Sequence, residues 1–238
     1  MLDIKIFSKE FNNIKILEDV NISISQGEFI SIIGPSGCGK TTILNLISNL
    51  DKDFDGNINS SFTNLSFIFQ DDRLVPWLTV KENLLLVSHN KDLEKIIELL
   101  KIVNLEKYLD YYPGKLSGGM KRRISIIRAF INNPDLILMD EPFVSLDYPT
   151  AIDLKNEFLQ LCKKFNPTVI LVTHDISEAI HLSNRILFFK KEPAKIIYEF
   201  DNPNIQEFEI KRIDEIKNQI FEKYPNILKG ELEWKKQF

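Results

Sequence analysis

Residues 34–41 read Gly-Pro-Ser-Gly-Cys-Gly-Lys-Thr and fit the pattern G-x-x-x-x-G-K-[ST]. The apolar run Phe29–Ile33 before them predicts a buried strand, and Lys40–Asn49 after them has helical character. Glycines let the backbone curl so that successive N–H groups point at phosphate oxygens, and the helix adds its positive N-terminal end. The alternative is a glycine turn without a ligand. Because both flanking elements are present, the pattern favours a site for nucleotide phosphates, called the phosphate loop below.

The chemistry of such a loop assigns its side chains. A lysine at position 40 reaches the β- and γ-phosphates of ATP, and the Thr41 hydroxyl ligates Mg²⁺. The N–H groups and Lys40 also favour an anion, so we expect Cys38 to be a thiolate that reacts with maleimides faster than Cys162 and is protected by Mg-ATP. The alternative is that Cys38 is merely a small residue tolerated in the loop, with its sulfur turned away. The residues predicted to line the ATP site here are Gly34, Pro35, Ser36, Gly37, Cys38, Gly39, Lys40, Thr41 and Thr42.

Two acids follow a second apolar run. Leu136–Met139 predicts a strand, and Asp140 and Glu141 come at its carboxyl end. Since side chains alternate along a strand, the two carboxylates can do different work. Asp140 would hold Mg²⁺ through water, and Glu141 would polarise the attacking water as a general base. A solvated strand end is the alternative for the acids taken alone.

The order of elements predicts the fold class. The continuous apolar runs Leu136–Met139 and Thr168–Val172 are typical of strands covered on both faces, with the helix Pro149–Phe165 between them. Such alternation indicates an α/β fold with a mostly parallel sheet, interrupted by a helical block from about residue 79 to 112. Further predicted elements are strands at Ile4–Phe7, Val20–Ile24 and Leu65–Phe69, helical patterns from Thr79 to about Leu109 and over Ser117–Ile131, two short strands after Lys190, and a helix at Gln206–Lys223.

Composition narrows the class of protein. The chain has 238 residues, and its formal net charge of −4 argues against a nucleic-acid partner. No run approaches the roughly 20 apolar residues of a membrane helix, and charges interrupt the apolar residues of the N-terminus. We therefore expect a cytoplasmic protein, in which a disulfide between Cys38 and Cys162 is not expected.

The segment Leu116-Ser-Gly-Gly-Met120 resembles the signature of ATP-binding-cassette (ABC) proteins. Ser117 is also a good helix N-cap, and both interpretations can hold because a capped N-terminus with two glycines is an anion site. The resemblance to ABC transporter ATP-binding subunits covers residues 2 to 225. It implies that Ser117, Gly118 and Gly119 face the γ-phosphate bound by the other subunit of a homodimer.

Other segments match the same family in the expected order. Gln70 resembles the glutamine that senses Mg²⁺ and water, and Ser145-Leu-Asp147 resembles the loop that crosses the dimer interface. His174 resembles the switch histidine that touches the γ-phosphate, although a lone histidine is more often structural. Phe11, 29 residues before Lys40, lies where the family has an aromatic that stacks on adenine, and a core phenylalanine is its alternative.

The resemblance implies a complete set of expectations. The fold is a P-loop NTPase of residues 1–225, with a mostly parallel sheet core, an N-terminal antiparallel β-subdomain, a helical subdomain inserted at about 79–133, and a tail at 226–238. The catalytic residues are Glu141, His174 and Gln70, the Mg²⁺ ligands are Thr41, Gln70 and Asp140, and Asp147 joins the nucleotide site. The partners are transmembrane permease subunits and, indirectly, an extracytoplasmic solute-binding protein, so the chain would sit on the cytoplasmic face of the membrane.

The stretch from Gln70 to Val80, with Ser-Gly-Gly-Met-Lys and Asp-Glu-Pro-Phe, resembles the nitrate/sulfonate/taurine branch of bacterial importers. Its apolar loop Asp71–Trp77 is predicted to dock the permease or to tuck under the domain. Arg122 stands where glutamine is usual and Ile127 where alanine is common. Neither touches the assigned chemistry, so these departures bear on the assignment to this branch of importers and not on the ATPase. Two other functions stay open: a soluble ABC protein acting on ribosomes or DNA, and a catalytically silent binding module.

Overall fold

The computed structural model describes residues 1–144, 146–202 and 210–232, without the side chain of Ile210. The strands are β1 (Leu2–Phe11), β2 (Ile14–Ile24), β3 (Phe29–Ile33), β4 (Asp55–Ser60), β5 (Leu65–Ile68), β6 (Leu136–Asp140), β7 (Thr168–Thr173), β8 (Arg185–Phe189) and β9 (Ile196–Asp201). The helices are α1 (Lys40–Ile47), α2 (Val80–Val87), α3 (Leu93–Ile102), α4 (Gly118–Phe130), α5 (Tyr148–Phe165), α6 (Ile176–Leu182) and α7 (Ile210–Lys223).

The chain divides into two compact units. Unit 1 comprises Met1–Thr63, Leu138–Glu141 and Thr168–Phe238, and unit 2 comprises Asn64–Ile137 and Pro142–Pro167.

An antiparallel sheet opens unit 1, in the order β2-β1-β4. Asn12 and Asn13, both at positive φ, form the tight turn between β1 and β2, because asparagine tolerates the left-handed conformation that such hairpins require. The two strands run from the start of the chain to Ile24, longer than the short runs that the sequence predicts. The expected N-terminal antiparallel β-subdomain is therefore confirmed.

A mostly parallel sheet forms the core of unit 1. Its strands follow the order β6-β7-β3-β8-β9, in which β3 pairs parallel with β7 and β8, and β9 pairs antiparallel with β8. Every residue of β3 and β7 is buried, which explains their uninterrupted apolar character. Parallel strands end at one edge of a sheet, so the segments after β3, β6 and β7 share that edge, where ligands bind in folds of this kind.

The helical block that the sequence predicts in unit 2 is divided into separate helices. From Thr79 to Leu109 there are two helices, α2 and α3, followed by a short 3₁₀ turn. The Asn132 side chain holds the break, donating to the Val87 carbonyl and accepting from the His89 amide. Asp92 then caps α3 by accepting from the Lys95 amide, which starts a new helix.

The elements after β7 differ from the prediction in one place. Of the two short strands expected after Lys190, β8 ends before that residue and β9 alone follows it in the part of the chain described, because 190–195 form the turn of a β8–β9 hairpin closed by the Lys190 amide on the Lys195 carbonyl. The predicted helix Gln206–Lys223 is confirmed from Ile210, and 206–209 lie outside the described residues. Among residues 1–144, 146–202 and 210–232, every helix falls short of the length or the apolar character that a membrane span requires.

Candidate functional site

The backbone of the phosphate loop requires its glycines. Gly37 and Gly39 have φ of 75° and 102°, a region that other residues rarely adopt. A side chain on Gly39 would also place its Cβ 2.9 Å from the Ile16 and Leu17 side chains of β2. The loop therefore curls tightly against the N-terminal sheet, and only glycine fits at position 39.

Helix α1 leaves the loop with an uncapped N-terminus. Gly39 makes no side-chain cap, and the first turn carries no acidic residue, so the positive end of the helix is uncompensated by the chain itself. Lys40 is 6% exposed, and its ammonium donates to the carbonyls of Gly34 (2.7 Å) and Pro35 (3.0 Å). The loop thus holds a buried cation beside free amide dipoles, an arrangement that attracts an anion.

The hydroxyl of Thr41 and the carboxylate of Asp140 meet at the same edge of the sheet. Thr41 Oγ1 donates to Asp140 Oδ2 over 2.8 Å. Burial raises the pKa of Asp140, and the neighbouring Glu141 charge adds to that effect, against the hydrogen bond from Thr41 and the charge of Lys40. Two hard oxygen groups side by side fit Mg²⁺. No cluster of three or more His, Cys, Asp or Glu side chains suited to a metal occurs among residues 1–144, 146–202 and 210–232, so a cation here would need oxygens from other sources as well.

Glu141 and His174 form a pair. Nδ1 of His174 lies 3.2 Å from Oε2 of Glu141, and both side chains reach solvent. The amide of Glu141 donates to the Val172 carbonyl of β7, which brings the end of β6 beside the end of β7. Glu141 has φ of 45°, a strained conformation for a residue with a Cβ, of the kind that clusters at functional sites.

The expectation of a reactive Cys38 is wrong. Cys38 is 2% exposed, and burial raises the pKa of its thiol, outweighing the nearby Lys40 ammonium and the backbone N–H groups. The sulfur packs inward, because a Cβ added to Gly34 would lie 2.9 Å from Cys38 Sγ. Burial also raises the pKa of Cys162 on α5. Both cysteines are free thiols packed in the fold.

Phe11 ends β1 as an exposed ring, with 49% of its surface accessible. The ammonium of Lys9 lies 4.5 Å from the ring centroid. Lys9 itself is 1% exposed and pairs with Asp51 (3.0 Å) and Asp53 (3.4 Å) beyond the end of α1. The exposed ring argues against the alternative of a core phenylalanine.

The remaining predicted residues lie in unit 2. Ser117 accepts from the Met120 amide over 3.2 Å and caps α4, as expected. Gln70 and Gly118 line one cleft of about 230 Å³, together with Asp71, Asp72, Arg122, Val144 and Leu146. Asp147 is exposed and caps α5, and the hydrogen bonds from Thr150 lower its pKa. Ser145, of the predicted interface loop, lies outside the described residues.

A family model described as ABC transporter matches residues 17–144. That span contains the phosphate loop, Gln70, the signature and both acids that end β6. The chain belongs to the ABC transporter family. It is an ATPase subunit, as the resemblance implied.

Relatives of this ABC ATPase include the aliphatic sulfonates import ATP-binding protein SsuB of Bacillus cereus, 42% identical over 83% of each chain. Among solved structures, the dimeric bacterial ABC transporter cassette MJ0796 gives a TM-score of 0.74 at 32% identity, over 86% of this chain and all of that one. A dimeric, post-hydrolysis state of the same cassette bound to ADP and Pi gives 0.71 at 31%, with the same coverage.

Sequence reasoning about the ABC ATPase missed several polar side chains that hold its loops. Asn83 of α2 donates to the carbonyls of Val75, Leu78 and Thr79 and accepts from the Val75 amide. The sequence places Lys9 at the surface. In the structure the pairing of β1 with β4 is irregular between Ile6 and Ser8, and this irregularity shifts the Lys9 side chain to the buried face. Arg122 is a further side chain of this kind. For this residue the sequence did contain a signal, because arginine stands where glutamine is usual.

Proposed function

We propose that this chain is the ATP-hydrolysing subunit of an importer for aliphatic sulfonates or a related small solute such as nitrate or taurine. The hydrogen bond between Thr41 and Asp140 carries the proposal, because it joins the phosphate loop to the acid pair in the way a Mg-nucleotide site needs. The sulfonate class rests on the name of the SsuB relative, which matches this chain over most of its length.

The phosphate loop binds the nucleotide through the N-terminus of α1 and Lys40. The Lys40 ammonium already lies within the loop on two carbonyls, so a phosphate oxygen needs only to replace them as its partner. Phe11 stacks on the adenine ring through its exposed face, and base–aromatic stacking contributes about 1–3 kcal/mol.

Thr41, Gln70 and, through water, Asp140 would hold Mg²⁺, which would supply positive charge to the phosphate oxygens. Because burial raises the pKa of Asp140, a cation has a further effect on this chain: it favours the ionised carboxylate that burial alone disfavours. Lys40 supports the same charge state.

Hydrolysis is carried by Glu141 and His174. Glu141 accepts a proton from the attacking water, and its strained backbone and bond to Val172 keep the carboxylate at the end of the sheet. His174, whose Nδ1 lies within hydrogen-bond distance of that carboxylate, orients it. When both ring nitrogens carry a proton, Nε2 can also donate to the developing charge of the γ-phosphate. Gln70 positions the water.

The active form is a homodimer with composite sites. Ser117, Gly118 and Gly119 present the N-terminus of α4 to the nucleotide of the other subunit, and Asp147 contributes from the loop that leads into α5. Both solved structures of the MJ0796 cassette are dimeric, which supports a dimer for this relative as well. In addition, Gly118 leaves open space around its Cα, as expected for a surface that a second chain approaches.

Transmembrane permease subunits dock on the loop after Gln70, so the chain works at the cytoplasmic face of the cell membrane. Trp77 is 75% exposed, which contradicts tucking for this side chain. A solute-binding protein outside the membrane completes the importer, and its gene and the permease gene are expected beside this one.

The experiment is reconstitution with the neighbouring permease and binding protein in proteoliposomes. The proposal predicts ATP hydrolysis stimulated by an alkanesulfonate, taurine or nitrate. Trp77→Ser should lose co-purification with the permease, whereas Phe7→Ser, at an exposed aromatic position in unit 1, should retain it. If the isolated chain hydrolyses ATP but binds no permease, the alternative of a soluble ABC protein acting on ribosomes or DNA would be favoured.

A further inference from the structure

Arg122 is a buried cation that lines the same cleft of unit 2 as Gln70. It is 3% exposed and lies in the second turn of α4. Its guanidinium makes three contacts: Nη1 donates to the Phe69 carbonyl (2.7 Å) and pairs with Asp72 (3.3 Å), and Nε donates to the Pro142 carbonyl. Nη2 is buried without a partner among the described residues.

These contacts have a particular position in the chain. Phe69 immediately precedes Gln70, and Pro142 immediately follows Glu141. One side chain thus holds the Phe69–Gln70 peptide, which carries the amide of the predicted Mg²⁺ ligand, and the Pro142–Phe143 peptide, which lies one residue beyond the predicted base. A planar guanidinium with several donors suits this task, because it can hold two carbonyls in fixed directions at once.

The burial is unfavourable in energy, which argues that the contacts matter. Desolvation lowers the pKa of Arg122, against the charges of Asp72 and Asp71. At such a buried position, a charged side chain with one unsatisfied nitrogen stabilises the fold less than an apolar side chain of similar size would. The same loop is also held by Arg128, which donates to the carbonyls of Arg73 (2.6 Å) and Asp72 (2.9 Å).

We propose that Arg122 is a positioning residue, which holds the backbone immediately before Gln70 and just after Glu141 through the carbonyls of Phe69 and Pro142. The interpretation that its departure from glutamine bears only on the branch of importers, and not on the ATPase, is thereby revised. The inference rests on the proposed function for its effect on hydrolysis, but its structural part can be tested without nucleotide.

The test compares Arg122→Met and Arg122→Lys with Arg123→Met in the full chain. Arg123 is the matched control because it is the next residue of α4 and is paired with Glu157 (2.7 Å) instead of the loop. Arg122→Lys keeps the charge but cannot reproduce the fork, so it separates donor geometry from charge. It also serves where Arg122→Met does not fold.

Two measurements decide the matter. In hydrogen exchange without nucleotide, peptides covering 69–75 and 141–144 should both exchange faster in the Arg122 variants and not in Arg123→Met. In steady-state kinetics, kcat should fall by about 10²-fold, the cost of a misplaced group. The Mg²⁺ concentration for half-maximal rate should rise, while ATP affinity measured in EDTA stays the same.

Unchanged hydrogen exchange in both peptides would overturn the inference. It would also be overturned if kcat fell only in proportion to the loss of folded protein and the Mg²⁺ dependence did not shift. A wild-type chain that does not hydrolyse ATP would contradict the proposed function instead. In that event the exchange measurement still decides the role of Arg122.

Discussion

Nδ1 of His174 lies 3.2 Å from Oε2 of Glu141, at the adjoining ends of β7 and β6. A histidine at this distance can donate to the carboxylate and hold it in one orientation. The pair therefore joins the two side chains that we propose carry hydrolysis.

His174→Ala tests the pair. We expect kcat to fall by about 10²-fold, because a donor to developing charge is lost, while ATP binding in EDTA is retained. His89→Ala is the control, since His89 is exposed in unit 2 and has no part in the proposed site. Equal kcat values for both variants would remove His174 from the mechanism.

Gly118→Asp tests the composite site between subunits. A Cβ at Gly118 meets nothing within 4 Å, whereas at Gly119 it would lie 2.9 Å from Thr150 Cγ2, so Gly118 separates charge from steric effects. The added carboxylate should repel γ-phosphate and abolish hydrolysis, and Gly118→Ala should lose far less.

Mixing Gly118→Asp chains with Lys40→Ala chains locates that effect. At most one competent composite site then forms in each mixed dimer, so the mixture should hydrolyse ATP faster than either variant alone. If Gly118→Asp by itself hydrolyses ATP like the wild type, the signature does not face a nucleotide.

Asp140→Asn should stabilise the nucleotide-free protein while ending Mg²⁺-dependent hydrolysis. Burial raises the pKa of Asp140 above its unfolded value, so ionisation opposes folding: the penalty is absent below the unfolded pKa and complete above the folded one. At neutral pH the variant should melt higher, by about 2–4 °C for each kcal/mol of relieved charge burial.

The difference in melting temperature should shrink as the pH falls through the raised pKa of Asp140, because the wild-type carboxyl then binds a proton in the folded state. Thermal melts of both proteins across this acidic range, in EDTA, give the measurement. A wild type that is the more stable at neutral pH would show that the Thr41 hydrogen bond outweighs the burial of charge.

Cys38 should react slowly with a maleimide, and Mg-ATP should change its rate little. Its sulfur is packed beneath the loop at 2% exposure of the residue, and burial raises its pKa, so both access and thiolate are scarce. Mass spectrometry of labelled peptides with and without denaturant checks this. Rapid labelling of native Cys38 that ATP prevents would restore the original expectation.

The sequence predicted those parts of the site that depend on local pattern. The spacing of the glycines predicted the phosphate loop, and the apolar run before Asp140 predicted that the acids end a strand. Both predictions succeed because turns and strands depend on residues that are close together in the sequence. The prediction for Cys38 was wrong because the direction of its sulfur depends on packing beside Gly34, which a local sequence pattern does not reveal.

The same limit applies to Lys9 and Arg122. Both are charged residues whose burial depends on partners distant in the chain, namely Asp51 for Lys9 and Phe69 and Pro142 for Arg122. The break between α2 and α3 likewise depends on a distant residue, Asn132, which bonds to Val87 and His89. Periodicity identifies which face of an element is apolar, but it does not reveal where a buried charge finds its partner.

Glu141→Gln tests the central claim most directly, with Glu222→Gln on the exposed face of α7 as the control. The change keeps size and removes the base, so hydrolysis should slow by about 10²–10⁴-fold. ATP binding should persist, and an ATP-bound dimer should accumulate on gel filtration. The decisive measurement is the steady-state rate of Mg-ATP hydrolysis by the purified variant: near-complete loss with retained binding is predicted, and a rate close to that of the wild type would contradict Glu141 as the base.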